Sequence, residues 1–195
     1  MMIKAVWFRG KPTCPCVKTW LPWLERVYRL RGVIKKTIDI AQLTGAASAS
    51  GGTHKGGGAF DLWQASDLAI EISRQMGADA SWTRTPAQGF PFHQHGVLRN
   101  CPHNLPARYQ IDAVDDGYNG LGKGGRGGRD DGPRPLSDRT WQEGIIWAKI
   151  QIRQARIDTL MRRIEKGKAS PIRRARRLKV RRLRKAIAKG KAALR

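Results

Sequence analysis

Apolar positions recur along the chain at two periods, and the switches between them mark out the elements. Val17, Trp20, Leu21, Leu24, Val27 and Tyr28 return at intervals of three and four, with Arg26, Arg29 and Arg31 on other faces and Gly32 after them. That spacing predicts an amphipathic helix with a glycine stop. Proline is tolerated in a helix's first turn and disruptive later, so Pro22 sets the expected start near Thr19. Residues 64–76 repeat the helical period through Leu68, Ala69, Ile72 and Met76, closed by Gly77, and 107–116 predict a further helix. Residues 3–8 are a short apolar run stopped by Gly10 and Pro12, which suits an edge strand. In 34–43, Ile38 and Ile40 share one face of a predicted strand, and Ala-Phe-Asp-Leu-Trp at 59–63 reads as a buried one. Two more strands, 80–83 and 92–99, flank the turn-forming Pro-Ala-Gln-Gly-Phe-Pro. This order predicts an α+β fold, a small antiparallel sheet with helices on its other face.

After residue 116 the pattern changes. Residues 117–132 hold eight glycines among arginines and a lysine, which reads as a linker or as a lid that orders against something. From 137 onward a long helix, capped by Ser137 or Asp138, carries Ile146, Ile150, Ile157, Leu160 and Ile164 as a stripe that asks for a helix partner, in cis or in trans. Gly167, Ser170 and Pro171 break it, and a second helix follows with Val180, Leu183, Ile187 and Leu194 on one side. The expected organisation is therefore a domain at 1–116, a glycine-rich segment at 117–136 and a basic helical appendage at 137–195.

Charge sharpens this division. The net charge is +23, and residues 171–195 contribute 12 of the 38 lysines and arginines and none of the acids. Such an excess attracts polyanions, whether nucleic acid, anionic wall polymers or acidic membranes. The candidate contacts are Arg173, Arg174, Arg176, Arg177, Lys179, Arg181, Arg182, Arg184 and Lys185. No aromatic residue lies among them, so base stacking is excluded and any nucleic-acid contact would be sequence-blind. Three cysteines cannot form a paired framework, and Cys14 and Cys16 are too close for an easy disulfide; they read as reduced or incidental, and His103 as a loop residue. No apolar run reaches the roughly 20 residues of a membrane span, and the first ten residues lack the apolar core of a signal peptide.

The candidate chemistry sits in Gly-Gly-Thr-His-Lys-Gly-Gly-Gly-Ala-Phe-Asp-Leu-Trp at 51–63, which sets His54 and Asp61 across a glycine-rich turn. Metal ligands must converge on one point, and glycines let the backbone fold back far enough. An unpaired carboxylate in mid-strand is costly, and a bound cation removes the cost. In a strand, His93 and His95 project from the same face. The plainer reading of His54 and Asp61 is a metal-free hydrogen-bonded pair.

His54, Gly57, Ala59 and Asp61 also match, at the right spacing, the His-x-x-Gly-x-Ala-x-Asp signature of D-alanyl-D-alanine carboxypeptidase-like zinc peptidases. These share a fold with lysostaphin-type endopeptidases and the hedgehog signalling domain. Residues 50–61, 93–95, 119–121 and 130–133 further resemble small proteins of actinobacteria and their phages, and the likeness spans roughly residues 3–137. The resemblance implies a zinc ion held by His54, Asp61 and His95, with a fourth position left for an activated water. The family's carboxypeptidases keep a glutamate three positions before the last ligand, where this chain has Phe92. His93 is the available substitute base, as in the lysostaphin-type His-x-His, although the two histidines can also be assigned the other way round. Arg84 is either a clamp for a substrate carboxylate or oxyanion, or an ordinary surface arginine. The function so implied is hydrolysis of peptidoglycan peptides by a phage-carried enzyme, located in the virion or released to the host wall, with the basic tail as an anchor. The alternative is a structural or nucleic-acid-binding virion protein carrying an inactive domain, its paired helices docking other virion proteins.

Overall fold

Two alternating stretches, written antiparallel, decide the architecture. The computed structural model describes residues 5–45, 51–165 and 171–194, and side chains throughout these except at 171–174. In chain order its strands are β1 (Val6–Phe8), β2 (Lys11–Thr13), β3 (Ile40–Gln42), β4 (Ala59–Leu62), β5 (Ala80–Arg84) and β6 (His93–Val97). Its α-helices are α1 (Pro15–Arg31), α2 (Asp67–Gln75), α3 (Tyr109–Asp115), α4 (Trp141–Glu165) and α5 (Pro171–Ala192). The main sheet is antiparallel throughout in the order β3-β4-β6-β5, so the two ligand-bearing strands are neighbours at its centre. Asp61 lies opposite His95, and Leu62 opposite Gln94.

The register is held by what lies on the far side. Gln94, between the two histidines, points away from them and is fully buried. There it accepts a 2.7 Å hydrogen bond from the Tyr28 hydroxyl of α1 and donates one of 2.7 Å to Ser73 of α2. A slip of one residue would bury both imidazoles in that apolar layer and strand the amide, so pairing is strongly specified. Phe60 and Leu62 share Gln94's face and pack with Trp20 and Leu24 of α1, Ile72 of α2 and Ala148 of α4. Ala59, Ala80, Trp82 and Val97 face the other way, against Ile111 and Val114 of α3. Helices therefore cover both faces rather than the one expected, because β4 is buried at every position.

α1 begins at Pro15, not near Thr19, since Cys14 caps it and Pro15 takes the first position, where a missing N–H costs nothing. Pro22 lies inside the helix, where its missing N–H forgoes the bond to the carbonyl of Lys18, an exposed residue one turn earlier. Gly32 ends the helix in the left-handed region, as its position predicts. Gly10 does not end a lone strand: Arg9 and Gly10, both at positive φ, turn β1 into the hairpin strand β2, which includes Pro12. The strand expected at 34–43 shrinks to β3, because Ile38 donates its amide to Glu25 and not to a ladder.

The glycine-rich stretch lies against the domain. Tyr118 pairs with Arg129, and the Asn119 amide donates to Gly128 (3.0 Å), forming a small looped ribbon. Asp130 anchors it by accepting from both terminal nitrogens of the buried Arg74 (2.7 and 3.1 Å) and from the Trp82 indole (2.8 Å). α4 starts at a reciprocal box in which the Glu143 amide donates to the Thr140 hydroxyl (3.3 Å) and the Thr140 amide to the Glu143 carboxylate (2.8 Å). Ser137, expected as a cap, is bonded to Asp79 and the Arg74 carbonyl instead. Ile145 and Ala148 join the main core, whereas Ile150 and Ile157 pack with Val180 and Ile187 of α5. The isoleucine stripe thus finds its partner in cis. Among the described residues no helix is long and apolar enough to cross a membrane.

Candidate metal centre

The sheet and the loop before β4 together bring three of the four candidate side chains to one point. Asp61 and His95 are cross-strand partners, and His54 reaches them from the glycine-flanked loop before β4. His95 Nδ1 lies 2.8 Å from one carboxylate oxygen of Asp61, and His54 Nε2 lies 3.2 Å from the other. The ligand atoms of all three residues fall within 4.8 Å of one another, and all three residues are buried. His93 Nε2 is farther out, 3.6 Å from the Asp61 oxygen that His95 touches.

The outer nitrogens fix the tautomers. His54 Nδ1 faces the Leu43 carbonyl at 2.6 Å and His93 Nδ1 faces that of Pro91 at 2.6 Å; carbonyls only accept, so both nitrogens carry hydrogen. His95 Nε2 faces the Gln110 side-chain oxygen at 2.8 Å, and the orientation of that amide is set because its NH₂ donates to the Gly120 carbonyl (3.0 Å). So His95 Nε2 is also a donor. In their neutral forms all three imidazoles then aim lone pairs at an ionised carboxylate, an arrangement that repels unless a cation or extra protons lie between.

Burial pushes the His95 pKa below its ordinary value despite Asp61, which favours the neutral ring. Burial also works against the charge on Asp61, but with protons on the facing nitrogens the hydrogen bonds from His54 and His95 outweigh it and hold that carboxyl well below the usual range. Two imidazole nitrogens and one carboxylate oxygen are a donor set suited to zinc, with three protein ligands and room for a fourth from outside. The outward side opens on a cavity of about 460 Å³, lined also by Trp63, Arg84, Phe90, His93 and Tyr109.

Arg84 is not a surface residue. It is 3% exposed, its guanidinium lies 4.8 Å from the Trp82 ring centre, and one terminal nitrogen donates to the Asn119 carbonyl (3.0 Å). The other terminal nitrogen has no partner among the described residues. Burial pushes its pKa down to about 10, so it stays charged near neutrality. No protein-family model matches the chain, and no curated protein or solved structure matches it either. What the site can do therefore rests on its own geometry, a buried His/Asp/His cluster able to hold a metal ion.

Phe92 is 55% exposed and precedes β6, so no acidic side chain stands three positions before His95. Asp61 is the one carboxylate lining the cavity among the described residues. Sequence reasoning missed Gln110, because a glutamine on an amphipathic helix carries no chemical signature until the fold puts it beside an imidazole. Of the basic residues proposed for polyanions, Arg177, Lys179, Arg181, Arg182, Arg184 and Lys185 are exposed along α5 and Arg176 is half-buried, while the side chains of Arg173 and Arg174 lie outside the described ones.

Proposed function

We propose that the chain is a zinc-dependent peptidase acting on peptidoglycan peptides. The observation that carries the metal is the convergence of three imidazole lone pairs, each fixed by an acceptor on the ring's far side, upon the Asp61 carboxylate. Bound there, the ion would supply Lewis acidity and lower the pKa of a coordinated water towards neutrality. His54, Asp61 and His95 would hold it. His93, with Nδ1–H committed to Pro91 and Trp63 and Phe90 edge-on at 6.4 and 6.3 Å, presents Nε2 to take up the water's proton and later return it to the leaving amine. The unpaired nitrogen of Arg84 suits the terminal carboxylate of a short peptide or a developing oxyanion. The peptidoglycan substrate rests on the resemblance of His54, Gly57, Ala59 and Asp61 to the signature of wall-cutting zinc peptidases, and the phage setting on that of residues 50–61, 93–95, 119–121 and 130–133 to small proteins of actinobacteria and their phages.

The test is release of peptides or terminal D-alanine from actinobacterial peptidoglycan by the zinc-loaded chain. The expected result is hydrolysis that a chelator stops, that His54→Ala abolishes, and that His93→Ala slows by about 10²- to 10⁴-fold while zinc stays bound. Intact wall material, unaffected by His54→Ala, would sink the reading and leave the alternative of an inactive domain on a polyanion-binding virion protein. The basic exposed face of α5 favours that alternative independently.

A further inference from the structure

A second group of ligand-type side chains lies against the loop that joins His54 to Asp61, and the proposed reaction does not use it. Cys14, Cys16 and Cys101 look incidental by spacing, since Cys14 and Cys101 are 87 positions apart. The fold brings them together with His103. Cys14 Sγ is 3.8 Å from Cys101 Sγ, and His103 Nδ1 is 3.6 Å from the sulfurs of both Cys16 and Cys101. All four ligand atoms lie within 4.8 Å of one another, and the three cysteines are buried.

These separations fit a tetrahedron. With metal–sulfur bonds of about 2.3 Å and metal–nitrogen bonds of about 2.0–2.1 Å, a tetrahedral ion separates two sulfurs by about 3.8 Å and a sulfur from a nitrogen by about 3.6 Å. A disulfide needs sulfurs about 2 Å apart. We propose that Cys14, Cys16, Cys101 and His103 hold a structural zinc ion, separate from the His54/Asp61/His95 centre. Four protein ligands leave no open position, which is the mark of a structural site and not a catalytic one.

The surroundings suit thiolates. Cys14 is the N-cap of α1 and Cys16 lies in its first turn, where the helix presents partial positive charge. The Gly58 amide donates to Cys14 Sγ at 3.3 Å. The glycine run also gains its reason here. A Cβ on Gly57 would stand 2.8 Å from the Cys14 Cβ, and one on Gly58 would stand 3.1 Å from the Cys101 sulfur. Backbone between the two ligands of the first centre thus runs directly against the second, which would pin it to the start of α1 and to the 101–104 loop.

The test begins with metal analysis and cobalt substitution of the full chain. We expect two zinc equivalents per chain and, after cobalt exchange, a thiolate-to-metal charge-transfer absorption. That absorption should persist in His54→Ala, which loses one equivalent, and vanish in Cys101→Ser. Because Cys101→Ser can fail to fold, wild-type protein is also titrated with an organomercurial, which should release one zinc equivalent in step with the three thiols. A cobalt spectrum without thiolate bands, thiols that react equally fast with and without metal, or a Cys14–Cys101 disulfide in the purified protein would each overturn the assignment. None of these outcomes depends on whether the first centre hydrolyses anything.

Discussion

At the scale of single residues, Gln110 shows how a side chain that binds nothing directly can decide what the centre holds. Its amide donates to the Gly120 carbonyl, which leaves only its oxygen for His95 Nε2 and so turns the lone pair of Nδ1 inward. Gln110→Ala should therefore weaken zinc binding by about 10- to 100-fold, measured by competition with a chromogenic chelator, while the fold persists. Gln110→Glu keeps an acceptor in place and should restore most of that affinity. If Gln110→Ala bound zinc as tightly as wild type, His95 would not be oriented in this way. Arg84 makes a separate prediction. Arg84→Lys retains the charge but not the forked geometry, so it should raise KM for carboxylate-terminated peptides more than it lowers kcat, and should leave substrates with an amidated terminus unaffected. The shared face of Asp61, His93 and His95 was legible because strand alternation is a local rule, and His54 because glycines flank it; Gln110 and His103 were not, because their partners lie on other elements.

At the scale of elements, the glycine-rich stretch after α3 is where composition misleads most. Glycine reads as flexibility, yet here it serves close approach: a Cβ on Gly120 would stand 2.7 Å from the Trp82 ring, and one on Gly125 would stand 2.7 Å from the Ala113 Cβ. A sequence cannot tell backbone that must pack tightly from backbone left free, since both call for the same residue. The anchor is the Arg74–Asp130 pair, with both side chains 1% exposed. Burial works against the Asp130 charge, but the hydrogen bonds and charge of Arg74 outweigh it and hold the carboxyl below its ordinary value. A depressed folded-state pKa stabilises the fold above the unfolded value of about 4, and that contribution is lost as pH falls through the folded value. Asp130→Asn should cost about 3–5 kcal/mol, because it leaves the Arg74 charge buried without its counter-ion. Thermal melts from pH 7 down to pH 3 should show the wild type losing its margin over the variant as the acid range is entered. A constant margin would mean that the pair does not set this dependence. The helical hairpin was more legible than the ribbon, because heptad-like isoleucines announce a partner helix, and α5 is near enough in sequence to be that partner.

At the scale of the whole molecule, charge and chemistry are separated. The cavity gathers one carboxylate, one guanidinium and imidazole and aromatic rings, whereas the last 25 residues gather 12 cations without one acid. Burying Ile150 and Ile157 against Val180 and Ile187 orients α5, so that Arg177, Arg181 and Arg184 face outward. Exposed charges away from such packing contribute little to stability, so changing these three to glutamine should shift it by no more than about 0.5 kcal/mol each. Binding to a mixed-sequence DNA duplex should respond differently. Each phosphate contact removed should reduce the slope of log affinity against log salt by about 1, so the triple variant should bind more weakly and lose roughly 2–3 units of slope if all three meet phosphate. The same variant should cleave soluble muropeptides at the wild-type rate, because none of the three lines the cavity. An unchanged salt slope would remove α5 from the binding surface; a collapse in cleavage of soluble substrate would mean that the hairpin and the metal centre are coupled through α4, whose first turns lie in the same core as α1.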